Sequence, residues 1–193
     1  MKSLYLFSLL FFISVGLYAQ TANVSGSISR VNNTPMPNVM VSAIDENGNT
    51  VQSTVSQPDG SYSFSGLPVP AVYTIQPHYD GAAIEDVTTF DVVIGARHIL
   101  GIESLSSPYS VIAGDVNASQ NFTTFDLIQM RKIILNIESA FTAGSWRFMD
   151  ANFQFPNPNN PFEDLEIGNI EVQLTTDVSD LDITGIKVGN LNL

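Results

Sequence analysis

A twelve-residue stretch from residue 115 to residue 126 contains oxygen-bearing side chains at a regular spacing. They stand at its positions 1, 3, 5, 7, 9 and 12, which are Asp115, Asn117, Ser119, Asn121, Thr123 and Asp126. Calcium is a hard cation that binds about six to eight oxygen atoms, and a twelve-residue loop leading into a helix supplies them from these positions. The spacing therefore predicts a calcium-binding loop followed by a helix.

The phrase Thr-Thr-Phe-Asp that closes this loop also occurs thirty-five residues earlier, where it ends at Asp91. Counting back from Asp91 places Asp80 at position 1 and Asp86 at position 7, while alanine and isoleucine stand at positions 3 and 5. We name residues 80–91 the first loop and residues 115–126 the second loop. Since apolar side chains offer no oxygen to calcium, we expect the first loop to bind calcium weakly through these three aspartates. Asp150 could complete that site.

A simpler interpretation holds for both loops without any metal. Asp and Asn cluster in turns because their side chains accept hydrogen bonds from nearby backbone N–H groups. A threonine just before an apolar segment is a favourable helix N-cap, and each loop contains a pair of threonines at its positions 9 and 10. The two interpretations predict the same helices and differ only in the ion.

Residues 80–139 resemble the type I dockerin domain, in which two calcium loops are each followed by a helix. The run Gly114-Asp115-Val116-Asn117 is similar to the start of a dockerin loop. The segment also resembles dockerin-like parts of large secreted proteins of gliding Gram-negative bacteria. In those proteins a phrase like Ser107-Pro108-Tyr109 links the two repeats, and a stretch like Trp146-Arg147-Phe148 follows them. The resemblance implies the calcium ligands Asp115, Asn117, Ser119, Asn121 through its carbonyl, Thr123 and Asp126.

The chain departs from the dockerin pattern at loop positions 5 and 6. Ser119 stands where aspartate is usual and Gln120 where glycine is usual, and both changes should weaken calcium binding. Dockerins bind cohesin modules through loop positions 10 and 11, which include Phe90 and Phe125 here. The resemblance thus implies a cohesin-like or other surface protein as partner. Alternatively, both phenylalanine rings pack beneath their loops.

Residues 1–19 are predicted to be a secretory signal peptide. A lysine near the start precedes a short apolar run over residues 4–17, and Ala19 offers a small residue for cleavage. The run is shorter than the roughly 20 apolar residues that a spanning helix needs. We therefore expect an exported protein, secreted or at the cell surface, without a membrane span after signal removal. A formal net charge of −12 disfavours a nucleic-acid partner, and the absence of cysteine excludes disulfides.

Residues 20–79 show short segments of alternating polar and apolar residues separated by turn signals such as Pro58-Asp59-Gly60. This pattern predicts an antiparallel β-sandwich. The segment resembles the carboxypeptidase regulatory-like domain and the B-type repeats of bacterial surface proteins. Because related sandwiches bind sugars by stacking on exposed aromatic rings, Tyr62, Phe64 and Tyr73 are candidates for such a platform, although their alternation is explained more simply by burial.

The predicted fold is thus a multi-domain chain, in which an antiparallel β-sandwich (20–79) precedes a small α-helical dockerin-like module with paired calcium loops (80–139). Residues 140–193 should form a β-rich extension packed on that module. The chain contains no zinc, nucleophile-elbow or phosphate-loop motif, and its two histidines stand apart, so we expect no enzyme.

The expected function is adhesion, scaffolding or tethering at the cell surface, with Ca2+ as the cofactor. The alternative is a carbohydrate-binding accessory protein that holds a polysaccharide on its sandwich. The chain could also be a fragment of a larger surface protein.

Overall fold

The computed structural model describes residues 20–158 and 160–193, and the predicted signal peptide lies outside them. The strands are β1 (Gln20–Arg30), β2 (Met40–Asp45), β3 (Thr50–Val55), β4 (Ser61–Val69), β5 (Ala71–His78), β6 (Trp146–Asp150), β7 (Ile170–Leu174) and β8 (Ile183–Lys187). The helices are α1 (Thr89–Ile99), α2 (Pro108–Gly114) and α3 (Thr124–Ile134). No helix in the described ranges combines the length and the apolar character needed to cross a bilayer.

The strands form two four-stranded sheets, in the orders β4-β1-β8-β6 and β3-β2-β5-β7. Alternating residues of several strands enter the core between the sheets, where Ile28, Val41, Phe64 and Ile75 are completely buried. The chain is therefore mostly β, with two sandwiched sheets and three helices, and it is consistent with the β-sandwich that the alternating patterns of residues 20–79 predicted. One strand pair departs from the antiparallel expectation, because β8 runs parallel to β1. These two strands are separated in the chain by six other strands and the three helices, and they are not joined by a hairpin, so they can run in the same direction.

The C-terminal strands complete both sheets. We expected residues 140–193 to form an extension packed on the helical module, and the structure shows in addition that β7 pairs with β5 and β8 pairs with β1. The physical reason is that β5 would otherwise leave one row of its backbone hydrogen-bonding groups open at a sheet edge. In β7, Ile170, Val172 and Leu174 are buried, while the two residues between them are exposed. This period of two predicts a strand with one buried face.

The same C-terminal strands also support the helices. Phe148 and Ile183 belong to the core between the sheets, whereas Met149 and Ile186 belong to a second apolar cluster that includes residues of all three helices. Since neighbouring residues of a strand point to opposite faces, β6 and β8 separate the two clusters. The helices therefore pack against the face of β6 and β8 that points away from the core between the sheets.

Candidate metal centre

Side chains at the beginning of the second loop converge on Ser119. One carboxylate oxygen of Asp115, Oδ1, accepts hydrogen bonds from the Ser119 backbone N–H at 2.8 Å and from its hydroxyl at 3.2 Å. The same N–H donates to Asn117 Oδ1 at 2.9 Å, and the hydroxyl also lies 3.1 Å from the carbonyl oxygen of Asn121. Oxygen atoms from positions 1, 3, 5 and 7 are thus brought within a few ångströms of one another. A carboxylate, an amide, a hydroxyl and a carbonyl are oxygen donors that suit a hard cation.

The backbone of the second loop is tightly coiled. Ala118 has φ +60° and Gln120 has φ +59°, and both lie in the left-handed region that non-glycine residues rarely adopt. The Gln120 N–H donates to the second carboxylate oxygen of Asp115, Oδ2, at 2.9 Å. Gln120 therefore makes the turn that glycine makes more easily at this position, at a steric cost of about 1 kcal/mol.

The end of the second loop forms a helix cap. Asp126 Oδ2 accepts hydrogen bonds from the Thr123 backbone N–H at 2.8 Å and from its hydroxyl at 3.1 Å, while Phe125 N–H donates to the same hydroxyl. This reciprocal arrangement is a capping box, and it begins α3. The Thr123 hydroxyl is therefore committed to the cap, as the interpretation without metal requires.

Asp126 also connects the cap to the start of the loop. Its other oxygen, Oδ1, accepts the Asn117 N–H at 3.3 Å, and its side chain is completely buried. Burial raises the pKa of Asp126, and the hydrogen bonds from Thr123 oppose that rise. A cation bound in the loop would favour the ionised form of the Asp126 carboxylate and so lower its pKa.

Sequence analysis did not identify Arg147 as part of this site. Its Nη2 lies 3.2 Å from Asp115 Oδ2, its Nη1 donates to the carbonyl oxygen of Ile112 at 3.1 Å, and both charged side chains are buried. The pairing of β6 with β8 holds Arg147 against the helical layer. No local sequence pattern connects Arg147 to Asp115, which lies thirty-two positions away.

The three candidate ligands of the first loop have separate partners. Asp80 is exposed and pairs with His78 at 2.9 Å, and Asp86 pairs with Arg30 at 2.9 Å. Asp91 Oδ2 caps α1 by accepting the backbone N–H and the hydroxyl of Thr88, both at 2.8 Å. Calcium binding by this loop stays a prediction, and the residues it was expected to use do not share a centre in the hydrogen-bond pattern.

Asp150 accepts the Asn152 backbone N–H at 2.7 Å, within the turn that follows β6. Within residues 20–158 and 160–193, no group of three or more His, Cys, Asp and Glu side chains is arranged to hold a metal. The second loop has only two carboxylates, so any cation there must rely on neutral oxygens for its remaining ligands.

The aromatic candidates lie in two different environments. Tyr62, Phe64 and Tyr73 are at most 3% exposed and belong to the sandwich core, so they form no sugar-stacking platform. Phe90 and Phe125 are 56% and 70% exposed, so the interpretation that both rings pack beneath their loops is wrong. Each ring follows the N-cap threonine of its helix by two residues, at equivalent positions of α1 and α3.

Residues 23–102 match the carboxypeptidase regulatory-like domain, a non-catalytic family. The matched stretch begins in β1 and includes β2 to β5, the first loop and α1. This confirms the resemblance of the N-terminal strands, whereas the resemblance to dockerins stays a prediction. No curated protein matches the chain.

Proposed function

We propose that this chain is a secreted, non-catalytic calcium-binding protein that acts in adhesion, scaffolding or tethering at the cell surface. The observation that carries the proposal is the convergence of Asp115, Asn117, Ser119 and Asn121 oxygens in the second loop. Asp126 joins this loop to α3 through its two oxygens. A cation held by the loop would therefore stabilise the start of α3.

The exposed apolar surface of the helices supports the tethering part of the proposal. Phe90 and Val93 on α1 are more than half exposed, and Phe125 and Ile128 occupy the equivalent positions of α3. The turns after the two helices add further exposed apolar side chains, which are Leu100, Ile102, Leu135 and Ile137. Exposed apolar patches of this kind are characteristic of surfaces that bind another protein. Calcium in the second loop would fix the position of one half of this surface.

The test is calorimetric titration of residues 20–193 with calcium, comparing the wild type with Asn117→Ala. We expect about one site per chain, with a dissociation constant of roughly 10⁻⁶ to 10⁻³ M. Asn117 is partly exposed, and its side chain accepts only the Ser119 N–H, so the substitution should preserve the fold. It should weaken calcium binding at least about tenfold, because it removes one of few ligands.

Asn32→Ala is the matched control. The Asn32 side chain also accepts one backbone N–H, that of Thr34, but it lies in the turn after β1. Its isotherm should equal that of the wild type. The absence of calcium binding to the wild type would refute the calcium assignment, and an unchanged isotherm for Asn117→Ala would refute the second loop as its location.

A glycan array with and without chelator separates this proposal from the carbohydrate-binding alternative. Calcium-independent retention on a polysaccharide would favour the alternative. The burial of Tyr62, Phe64 and Tyr73 removes the platform on which that alternative was based.

A further inference from the structure

Lys187, near the C-terminus, is buried in a part of the molecule that the proposed function does not use. Its side chain is only 2% exposed, and Nζ donates to the carbonyl oxygens of Ala83 and Val188, each at 3.0 Å. Lysine is almost never completely buried unless its ammonium group is paired or hydrogen-bonded. Ala83 stands at position 4 of the first loop, so the ammonium group is bound by that loop's own backbone.

The negative charges of the first-loop acids favour the charged form of this ammonium group. Burial lowers the pKa of Lys187 to about 8, while the negative charges of Glu85 and Asp86, and more weakly Asp91, oppose the decrease. The ammonium form therefore predominates at neutral pH. The loop thus already has a cation that belongs to the protein.

A second cation neutralises the outer side of the first loop. Arg30 donates to Asp86 at 2.9 Å and to Glu85 at 3.5 Å, and its guanidinium carbon lies 4.8 Å from the centre of the Trp146 ring. Arg30 is the last residue of β1, next to β8 in the sheet. Glu85 and the candidate ligand Asp86 are therefore both paired with an arginine of the sandwich.

The two loops also differ in how the aspartate at position 12 uses its free oxygen. In the second loop, Asp126 Oδ1 accepts the N–H of Asn117, which belongs to the same loop. In the first loop, Asp91 Oδ1 accepts the N–H of Leu191 at 2.8 Å, from the segment after β8. The C-terminal part of the chain thus makes two contacts with the first loop. The ammonium group of Lys187 donates to the Ala83 carbonyl, and the Leu191 N–H donates to Asp91.

We infer that the first loop is a built-in ammonium site, in which Lys187 takes the place of a metal ion. The loop therefore fastens the C-terminal strand to α1 without calcium, and the second loop is the calcium site of the proposed function. The inference revises the expectation of weak calcium binding through Asp80, Asp86 and Asp91. It holds whether or not the second loop binds calcium.

The test uses the ammonium group itself. Residues 20–193 contain two lysines, Lys187 and the exposed Lys132, so a nitrogen-15 spectrum of lysine side chains has an internal control. At low temperature and neutral pH we expect a slowly exchanging ammonium signal from Lys187 only. Its shift should be unchanged by millimolar calcium. Loss of this signal into rapid exchange, or its displacement by calcium, would overturn the inference.

Two substitutions complete the test. Lys187→Met should lower the thermal midpoint by about 5 °C or more, equally in chelator and in calcium, whereas Lys132→Met should not. Asp86→Asn removes a candidate calcium ligand at a partly exposed position and should leave the calcium stoichiometry unchanged. A second calcium site that disappears in Asp86→Asn would contradict the inference, as would an unchanged midpoint for Lys187→Met. If the wild type binds no calcium, the proposed function fails, whereas the nitrogen-15 result still decides this inference.

Discussion

Replacing Arg147 with methionine tests whether its positive charge stabilises the buried Asp115 carboxylate of the second loop. The substitution keeps a long unbranched side chain, removes the cation 3.2 Å from Asp115 Oδ2, and leaves the Ile112 carbonyl without its side-chain donor. Asp115 is completely buried, so its carboxylate has no access to water for compensation. It keeps three other donors, from Ser119 N–H, Ser119 Oγ and Gln120 N–H.

The expected loss follows from those contacts. Removing one partner of a buried ion pair costs about 3–5 kcal/mol, and the three remaining donors place the value near the lower limit, at about 3 kcal/mol in chelator. For a chain of this size, each kcal/mol corresponds to about 2–4 °C, so the midpoint should fall by about 6–12 °C. Calcium bound in the loop would replace part of the missing positive charge. The calcium-induced rise of the midpoint should therefore be larger in Arg147→Met than in the wild type.

Urea and thermal unfolding, each in calcium and in chelator, measure both effects, and the fluorescence of Trp146 beside the substituted residue reports unfolding. Arg97→Met is the matched control, because Arg97 forms an exposed ion pair with Glu103 and should change stability by less than about 1 kcal/mol. A loss below about 1 kcal/mol for Arg147→Met in chelator would refute the role of Arg147 as a counter-charge. An equal loss in chelator and in calcium would refute its coupling to the ion.

Two further predictions concern the sandwich. Burial, followed by the negative charges of Asp182 and Asp150, raises the pKa of Tyr62. The folded state therefore favours the neutral phenol. This stabilisation is complete below the unfolded pKa of about 10 and is lost as the pH rises above that value. Tyr62→Phe should therefore show a shallower alkaline decrease in stability, measured by urea unfolding between about pH 9 and 11, and an equal decrease in both proteins would contradict this pKa shift. Residues 20–79 alone should lack a cooperative unfolding transition in calorimetry, whereas residues 20–193 should show one, because β7 and β8 supply sheet partners and core residues to β5 and β1. A cooperative transition in the short fragment would show that these strands are dispensable.

Local sequence determined the features whose interactions lie within one short stretch of chain. The spacing of residues 115–126 predicted a loop leading into a helix, and the repeated Thr-Thr-Phe-Asp predicted the caps that begin α1 and α3. The alternation in residues 20–79 predicted the first five strands. These features depend on hydrogen bonds and apolar periods over a few residues, which are visible in the order of residue types.

Tertiary structure decided which distant residues meet these local elements. Arg147 lies beside Asp115 and Lys187 beside Ala83 because β6 and β8 pair within the sheet, and sequence positions 32 and 104 residues apart show no shared pattern. The same applies to β7, whose alternation predicts a buried face but not the strand that covers its edge. Partner choice depends on the total burial and charge pairing of the assembled layers, so it becomes visible only when the sheets and helices are packed together.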